Sequence, residues 1–265
     1  MRVFDFNSAI VRLPGRSVVE GVRARPGPAP VFEKVLAEQA VYIEALRQAG
    51  VQVTVLDALE QFPDSIFVED PALVFSDAAV LLRPGAPSRA PEAQALAPTL
   101  AARFPAILRL GTGHADGGDV LVTPRVAFIG RSARTDEAGA AALQVLLKNI
   151  GVASKVVGTP RGTLHLKSDC SLVDEDTVLA TEELAASGLF DGFRILVVPR
   201  DERAAANAVR VNDTMLVNAS CPRTAELLAD HGLDVVPLPV GEIGRIDAGL
   251  SCMSLRWFDR SAAGQ

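Results

Sequence analysis

The sequence predicts an α/β protein in which five strand-plus-helix modules close around a common axis. A helix-like segment followed by a glycine and then a strand occurs three times along the chain. A polar or reactive residue that leads into a strand occurs five times, at steps of 49, 50, 38 and 45 residues. These five residues are Asp70, Asp119, Asp169, Asn207 and Cys252. A period in this range indicates a repeat architecture, and the intervening helices argue against a propeller made only of strands.

The first module contains a short strand, a loop and a long helix. Residues 9–13 are predicted to form a strand. Residues 23–30 are rich in proline and form a loop that either is inert or covers a site. Residues 31–49 carry apolar side chains at helical spacing, and Gly50 ends that helix. Residues 51–56 alternate between polar and apolar and are predicted to form the next strand.

Two later modules follow the same order of helix, glycine and strand. A helix over residues 140–150 precedes a strand over residues 152–157. A shorter helix over residues 224–230 precedes a strand over residues 233–236. In a closed ring of such modules, equivalent positions converge at the centre. Residues that are far apart in sequence can therefore line one pocket.

The composition is that of a globular protein. The chain has 265 residues, 49% of them hydrophobic and 22% charged, and we expect residues 1–265 to form a single domain. A net charge of −6 argues against nucleic acid or an anionic membrane surface as the main partner. Three cysteines are too few for a disulfide framework, which favours the cytoplasm, and no apolar run has membrane-spanning length. A homodimer is kept as the alternative to a monomer.

Cys252 and His165 are the candidates for nucleophilic chemistry. Cys252 lies between two serines in residues 249–255, a segment predicted to be a strand that presents the thiol at one end. A lone cysteine in a strand is more often a packing residue than a nucleophile. His165 lies between two leucines, which is more typical of a core histidine. The repeat architecture favours the catalytic alternative, since it can bring a cysteine, a histidine and a carboxylate together.

The acidic residues form two candidate groups. Glu69 and Asp70 are adjacent, and Pro71 can bend the chain so that both carboxylates face one ligand. Two converging carboxylates suit a guanidinium group, although a solvated acidic turn is the simpler alternative. Asp116 and Asp119 lie on a glycine-rich turn, where a carboxylate can approach another group closely.

Arg89 and Arg134 lie in predicted loops and could bind a carboxylate of a ligand through paired N–H groups. The chain has no pair of cysteines or histidines at metal-ligand spacing, so no metal site is predicted. It also has neither a dinucleotide fingerprint nor a phosphate-binding loop, so no cofactor is expected.

Four ordered motifs closely resemble those of dimethylarginine dimethylaminohydrolases, particularly the bacterial enzymes. They are residues 62–70, 130–135, 164–167 and 247–255, and the likeness spans the whole chain. The resemblance implies the pentein fold, a five-bladed α/β propeller of repeated ββαβ modules with pseudo-fivefold symmetry. It also implies hydrolysis of a small-molecule substrate, an Nω-methylated arginine, to citrulline and dimethylamine or methylamine.

The resemblance implies a role for each candidate residue. Cys252 would attack the guanidinium carbon, His165 would protonate the leaving amine and then activate water, and Asp116 would be the partner of His165. The other matched positions would bind the substrate. They are Glu69 and Asp70 for the guanidinium, Asp64, Arg89 and Arg134 for the amino-acid end, and the backbone carbonyls of Val22 and Ile246 for the α-amine.

Three other functions on this fold are the alternatives. An arginine deiminase is the nearest, but such enzymes usually contain a helical insertion for which 265 residues leave no room. An amidinotransferase would transfer the amidino group to an amine instead of to water. A non-catalytic pentein, similar to the translation factor that binds the large ribosomal subunit, should lack the pair formed by Cys252 and His165.

Overall fold

The chain folds into five small sheets of three strands each. The computed structural model describes residues 2–24 and 27–262, so Arg25 and Pro26 of the predicted loop lie outside the described residues. In every sheet the first two strands are antiparallel, and the third strand is parallel to the second. A helix connects the second strand to the third in each module. The predicted five-bladed α/β propeller of ββαβ modules is therefore confirmed.

The elements follow one another in the order that this repeat requires. The strands are β1 (Ser8–Arg12), β2 (Gln52–Leu56), β3 (Ala72–Val74), β4 (Ala78–Leu81), β5 (Ala106–Arg109), β6 (Val120–Val122), β7 (Ala127–Arg131), β8 (Ser154–Gly158), β9 (Cys170–Leu172), β10 (Thr177–Ala180), β11 (Arg194–Val197), β12 (Val209–Val211), β13 (Thr214–Asn218), β14 (Asp234–Leu238) and β15 (Leu255–Trp257). The helices are α1 (Phe32–Gln48), α2 (Glu92–Ala101), α3 (Glu137–Asn149), α4 (Glu182–Ala185) and α5 (Pro222–Asp230).

The first module combines the two ends of the chain. Strand β15 pairs antiparallel with β1, so that Ser8 lies opposite Trp257, and β2 pairs parallel with the other edge of β1. The Asn7 side chain accepts a hydrogen bond from the Asp259 N–H at 2.6 Å and donates one to the Asp259 carbonyl at 2.8 Å. The last strand thereby closes the ring.

The three predicted helices are present, and their ends follow local chemistry. Helix α1 buries Val35, Tyr42 and Leu46 on one face and is followed by Gly50 with φ of +86°, the left-handed conformation that glycine adopts readily. Helix α3 begins earlier than predicted because the Asp136 side chain accepts the Gly139 N–H at 2.6 Å and caps it. The sequence pattern does not predict α2, which contains a proline, or α4, which has only four residues.

The segment around Cys252 differs from the predicted strand. Residues Leu250–Met253 form a 3₁₀ turn, and the strand begins only at Leu255. The cause is that neighbouring modules bind the turn's backbone groups. The Ser251 N–H donates to the Asn207 side chain at 2.9 Å, and the Cys252 carbonyl accepts the Glu69 N–H at 3.2 Å. These groups are then not available for a β-ladder.

The five repeated residues that precede the first strands form a circle of hydrogen bonds. Each residue binds the turn or helix of the next module around the ring. The bonds are Asp70 to the Gly118 N–H (3.1 Å), Asp119 to the Leu166 N–H (2.8 Å), Asp169 to the Arg203 side chain (2.7 Å), Asn207 to the Ser251 N–H (2.9 Å) and the Cys252 carbonyl to the Glu69 N–H (3.2 Å). The repeat read from the sequence thus corresponds to equivalent positions around the axis.

The hydrophobic core is divided among the module interfaces. The described residues contain five clusters of buried side chains, and each joins residues of at least two modules. A module that buries its apolar face only against its neighbours is not stable alone, as in other repeat proteins. Among the described residues, no helix combines the length and apolar character needed to cross a membrane.

Candidate active site

Cys252 lies in the 3₁₀ turn before β15 and is only 8% exposed. Burial disfavours the thiolate, and the negative charges of Asp70 and Glu69 disfavour it further, so that the pKa of Cys252 rises to about 12. The protein without a ligand therefore holds a neutral thiol at neutral pH. A cation placed beside the two carboxylates would favour the thiolate, which is the nucleophilic form.

His165 lies at the start of a 3₁₀ turn in the fourth module, between two carboxylates. Its Nε2 atom is 2.9 Å from Asp116 Oδ2 and 4.0 Å from Asp70 Oδ1. Burial opposes the charged ring, but the charge of Asp70, the hydrogen bond to Asp116 and the charge of Asp119 outweigh it and raise the pKa of His165 to about 9. The ring is accordingly an imidazolium at neutral pH and can donate a proton.

Asp116 is completely buried and is held by further hydrogen bonds besides that to His165. Its Oδ1 atom accepts the Gly85 N–H at 2.7 Å, and its own N–H donates to Thr135 Oγ1 at 3.1 Å. The glycines that follow Asp116 allow this close packing, since a Cβ on Gly118 would lie 2.8 Å from the His165 ring. The predicted close approach at the glycine-rich turn is therefore confirmed.

Glu69 is buried and bonded to three side chains. Its carboxylate accepts hydrogen bonds from Lys167 Nζ at 2.5 Å, Ser251 Oγ at 2.9 Å and Arg256 at 3.3 Å. The sequence did not single out Lys167 or Arg256. The available signals were weak: Lys167 lies two residues after His165, and Arg256 is a charged residue in an otherwise apolar strand.

Asp70 and Arg89 form a buried ion pair. Arg89 is 5% exposed and also donates to Glu92 at 2.8 Å and to the Phe67 carbonyl at 2.9 Å. Arg89 was expected in a loop but lies in a short 3₁₀ turn, with its guanidinium bonded to Asp70 and Glu92. Glu92 is a further residue that the sequence did not indicate. Its role is apparent only from the fold, where it holds Arg89 against Asp70.

The remaining predicted residues lie at a more accessible end. Arg134 is half-buried and Val22 is 36% exposed, whereas Asp64 and Ile246 are buried. The Val22 N–H donates to Asp64 Oδ1 at 3.0 Å. The adjoining Gly21 packs so tightly that a Cβ there would lie 3.1 Å from Asp64 and 3.2 Å from Ile246.

The carboxyl group of Asp64 connects the two ends of the site electrostatically. Its pKa is raised by burial, and the positive charges of Arg89 and Arg134 oppose that rise. The structure therefore places the predicted residues in two groups, one of buried acid–base groups and one around the buried Asp64 that reaches the surface at Val22 and Arg134.

Three of the buried groups could hold a metal ion. Asp70, Asp116 and His165 each offer one ligand atom, and these atoms lie within 4.8 Å of one another. The sequence indicated no metal site because the three residues come from three different modules. In this structure His165 Nε2 already faces Asp116 at hydrogen-bond distance, so the arrangement suits proton transfer.

A cavity of about 640 Å³ lies beside this site. Glu69, Lys167 and Ser251 are among its lining residues, whereas Cys252 and His165 are not. The ion pair of Glu69 and Lys167 thus borders the cavity, and Cys252 and His165 lie outside it.

Comparisons with known proteins agree with this geometry. Residues 29–188 match the family model described as N,N dimethylarginine dimethylhydrolase, eukaryotic. The N(G),N(G)-dimethylarginine dimethylaminohydrolase of Pseudomonas aeruginosa is 36% identical over 95% of this chain and 100% of its own length. The protein of the same name from Streptomyces coelicolor is 34% identical over 94% of this chain and 96% of its own. A solved structure of a mutant Pseudomonas aeruginosa enzyme with citrulline has a TM-score of 0.93 and covers 96% of this chain and 100% of that one.

Proposed function

This chain belongs to the dimethylarginine dimethylaminohydrolase family, and on that premise we propose that it hydrolyses Nω-methylated arginines to citrulline and dimethylamine or methylamine. The observation that carries the proposal is the buried group around Cys252. A neutral thiol, an imidazolium bonded to Asp116 and the carboxylate of Asp70 lie together there, and a positive charge beside Asp70 and Glu69 would convert the thiol to the nucleophilic thiolate. A guanidinium supplies that charge.

We assign the first step to Cys252. When the substrate cation lies beside Asp70 and Glu69, the thiol loses its proton to the solvent and the sulfur attacks the guanidinium carbon. The new C–S bond converts that carbon to a tetrahedral centre. The bond from carbon to the methylated nitrogen then breaks as the His165 imidazolium transfers the proton on Nδ1, the ring nitrogen that is not bonded to Asp116, to that nitrogen, so that the amine leaves neutral. The enzyme is left with a thiouronium joined to Cys252.

The second step reverses the direction of proton transfer. His165, now neutral, takes a proton from water, and the resulting hydroxide attacks the thiouronium carbon. The C–S bond breaks, the proton of the new hydroxyl group passes to the departing Cys252 sulfur, and citrulline is formed with Cys252 restored as the neutral thiol. Asp116 holds the ring in place and stabilises its positive charge whenever His165 is protonated.

The opposite end of the substrate would lie near Arg134. We propose that Arg134 and Arg89 attract its α-carboxylate and that Asp64, with the backbone carbonyls of Val22 and Ile246, binds its α-amine. The half-buried position of Arg134 and the proximity of Val22, Asp64 and Ile246 support this assignment.

The choice of leaving group follows from hydrogen bonding. The carboxylates bind the unsubstituted side of the guanidinium, and the methylated nitrogen therefore points toward His165. Each methyl removes an N–H donor, so the reverse orientation would leave buried acceptors unpaired at about 1–3 kcal/mol each. Symmetric dimethylarginine carries a methyl on both terminal nitrogens and cannot avoid that penalty.

The test is kcat/KM for citrulline release from four guanidines with the purified protein. Asymmetric dimethylarginine and monomethylarginine should be hydrolysed with release of dimethylamine and methylamine, and symmetric dimethylarginine should be a poor substrate. If arginine were the best substrate and ammonia the product, the chain would be a deiminase instead.

Three further assignments belong to this proposal. We propose that residues 1–265 act as one catalytic domain, that the protein is cytoplasmic, and that it forms a homodimer. Limited proteolysis, cell fractionation and light scattering measure these properties directly.

A further inference from the structure

Asp119 is a buried carboxylate that lies between the two ends of the site. It is completely buried, directly before β6. Its Oδ1 atom accepts the Leu166 N–H at 2.8 Å, which is the bond that Asp119 contributes to the circle around the axis. Its Oδ2 atom accepts two further hydrogen bonds, from Ser132 Oγ at 2.6 Å and Thr135 Oγ1 at 2.7 Å.

Each of the two hydroxyl groups links Asp119 to a different backbone N–H group. Thr135 Oγ1 donates its single proton to Asp119 and accepts the N–H of Asp116 at 3.1 Å. Ser132 Oγ donates its proton to Asp119 and accepts the N–H of Arg134 at 3.0 Å. Because a hydroxyl has one proton, donation to Asp119 directs its lone pairs toward these backbone groups.

We propose that Asp119 is a positioning residue that sets both the orientation of Asp116 against His165, through Thr135, and the conformation of the Arg134 loop, through Ser132. The inference rests on the proposed function, in which Asp116 supports proton transfer and Arg134 binds the substrate carboxylate. It assigns to one carboxylate the alignment of the two ends of the site, which contact different parts of the substrate.

The hydrogen bonds of Asp119 to the two hydroxyl groups can be tested separately from its bond to the Leu166 N–H of the next module. Replacing either hydroxyl leaves the bond between Asp119 Oδ1 and the Leu166 N–H in place. The variants Thr135→Val and Ser132→Ala therefore test the two hydroxyl bonds to Asp119 without removing the carboxylate. Asp119→Asn tests both hydroxyl bonds at once, since an amide N–H would face hydroxyls that can no longer donate to it.

Steady-state kinetics should separate the two directions. Thr135→Val is expected to lower kcat on the order of 10-fold to 100-fold with little change in KM, since a small displacement of an acid–base pair is enough for such a loss. Ser132→Ala is expected to raise KM on a similar scale for asymmetric dimethylarginine, but not for N,N-dimethylguanidine, which has no carboxylate. Asp119→Asn should show both effects.

Matched controls exist outside the site. Thr123→Val removes a buried hydroxyl that donates to the Val126 carbonyl, and Ser187→Ala removes an exposed one that donates to the Leu184 carbonyl. These variants should retain wild-type kcat and KM. The proposal would be overturned if Thr135→Val and Ser132→Ala changed kcat and KM in the same way, or if they changed them no more than the controls do.

A second measurement does not depend on turnover. NMR spectra of protein with isotope-labelled histidine report the His165 Nε2–H bond to Asp116, and the signal is assigned by its absence in His165→Gln. Thr135→Val and Asp119→Asn should shift this signal, and Ser132→Ala should not. An inactive wild-type protein that shows these shifts would overturn the proposed function but support the role of Asp119. Unchanged spectra in all three variants would overturn that role even in an active enzyme.

Discussion

At the scale of single residues, burial and the neighbouring carboxylates set the protonation states of Cys252 and His165 in the free enzyme. The pKa of Cys252 is raised to about 12 by burial and by the neighbouring carboxylates, while that of His165 is raised to about 9 by Asp70, Asp116 and Asp119 acting against burial. The thiol is thus neutral and the imidazole is charged at neutral pH. In the proposed mechanism, a cationic substrate beside Asp70 and Glu69 favours the Cys252 thiolate, because its charge offsets that of the two carboxylates.

The three cysteines should differ sharply in importance. Cys252→Ser is expected to abolish turnover, since a hydroxyl in this acidic surrounding does not become a nucleophile. Cys170→Ala and Cys221→Ala should retain kcat/KM within a few-fold, because Cys170 donates to the Leu166 carbonyl and Cys221 lies in the core between the fourth and fifth modules. Citrulline release by the three purified variants checks this. Full activity of Cys252→Ser would exclude the covalent mechanism.

The pH dependence of activity should report His165. Because the imidazolium is the proton donor, kcat/KM should fall as pH rises through about 9. The same raised pKa stabilises the folded protein, fully below the unfolded-state value of about 6.5, and that contribution is lost as pH rises toward 9. Rate profiles and urea unfolding from pH 6 to about 10 measure both effects. His165→Gln should unfold without this pH dependence, and a rate decline centred near 6.5 would contradict the assignment.

At the scale of elements, the start of helix α3 supports the segment that carries Asp116. The Asp136 side chain accepts both the His114 N–H at 3.1 Å and the Gly139 N–H at 2.6 Å. Gly139 lies against this segment, since a Cβ there would be 2.0 Å from the His114 carbonyl oxygen. The contact joins the helix to the catalytic turn.

Gly139→Ala should therefore destabilise the protein, although alanine is the better helix former. The added methyl would have to displace the backbone of His114, and overpacking of this kind costs about 1–3 kcal/mol. Activity should fall as well, because Asp116 follows two residues later. The exposed control Ala141→Gly should cost about 1 kcal/mol through helix propensity alone and leave kcat unchanged. Urea unfolding and kcat of both variants test this, and greater stability of Gly139→Ala would show that the segment moves freely.

At the scale of the whole molecule, stability resides in contacts between modules. Each of the five hydrophobic clusters among the described residues joins at least two modules, and the circle of hydrogen bonds crosses every boundary once. The active site has the same character, since Cys252, Asp70, Asp116 and His165 come from four modules. Loss of ring closure should thus remove fold and activity together.

Asn7→Ala tests ring closure at the junction of the chain ends. The variant loses both hydrogen bonds to the Asp259 backbone, and the unfolding free energy should fall by about 1–3 kcal/mol. Activity should disappear with the fold as urea rises, because β15 follows the Cys252 turn. Asn149→Ala, at the exposed end of α3, is the control and should change stability by less than about 0.5 kcal/mol. Equal stability of the two variants would show that the chain ends contribute little to closure.

The sequence by itself determined the repeat and predicted the candidate residues of the site. The steps between Asp70, Asp119, Asp169, Asn207 and Cys252 correspond to the five modules, because each module needs the same turn before its first strand. The glycine at the Asp116 turn likewise indicated a close approach before the approaching group was known. These are local properties, and a single chain segment is sufficient to encode them.

Only the tertiary structure decided which of these residues meet. The contact between His165 and Asp116 spans 49 residues, and that between Ser251 and Glu69 spans 182. Such contacts depend on how the ring closes, which no short spacing encodes. For the same reason the sequence indicated neither the pairing of Lys167 with Glu69 nor the burial of Arg89 between Asp70 and Glu92. The raised pKa values of Cys252 and His165 also follow from closure, because burial and converging charge exist only in the assembled ring.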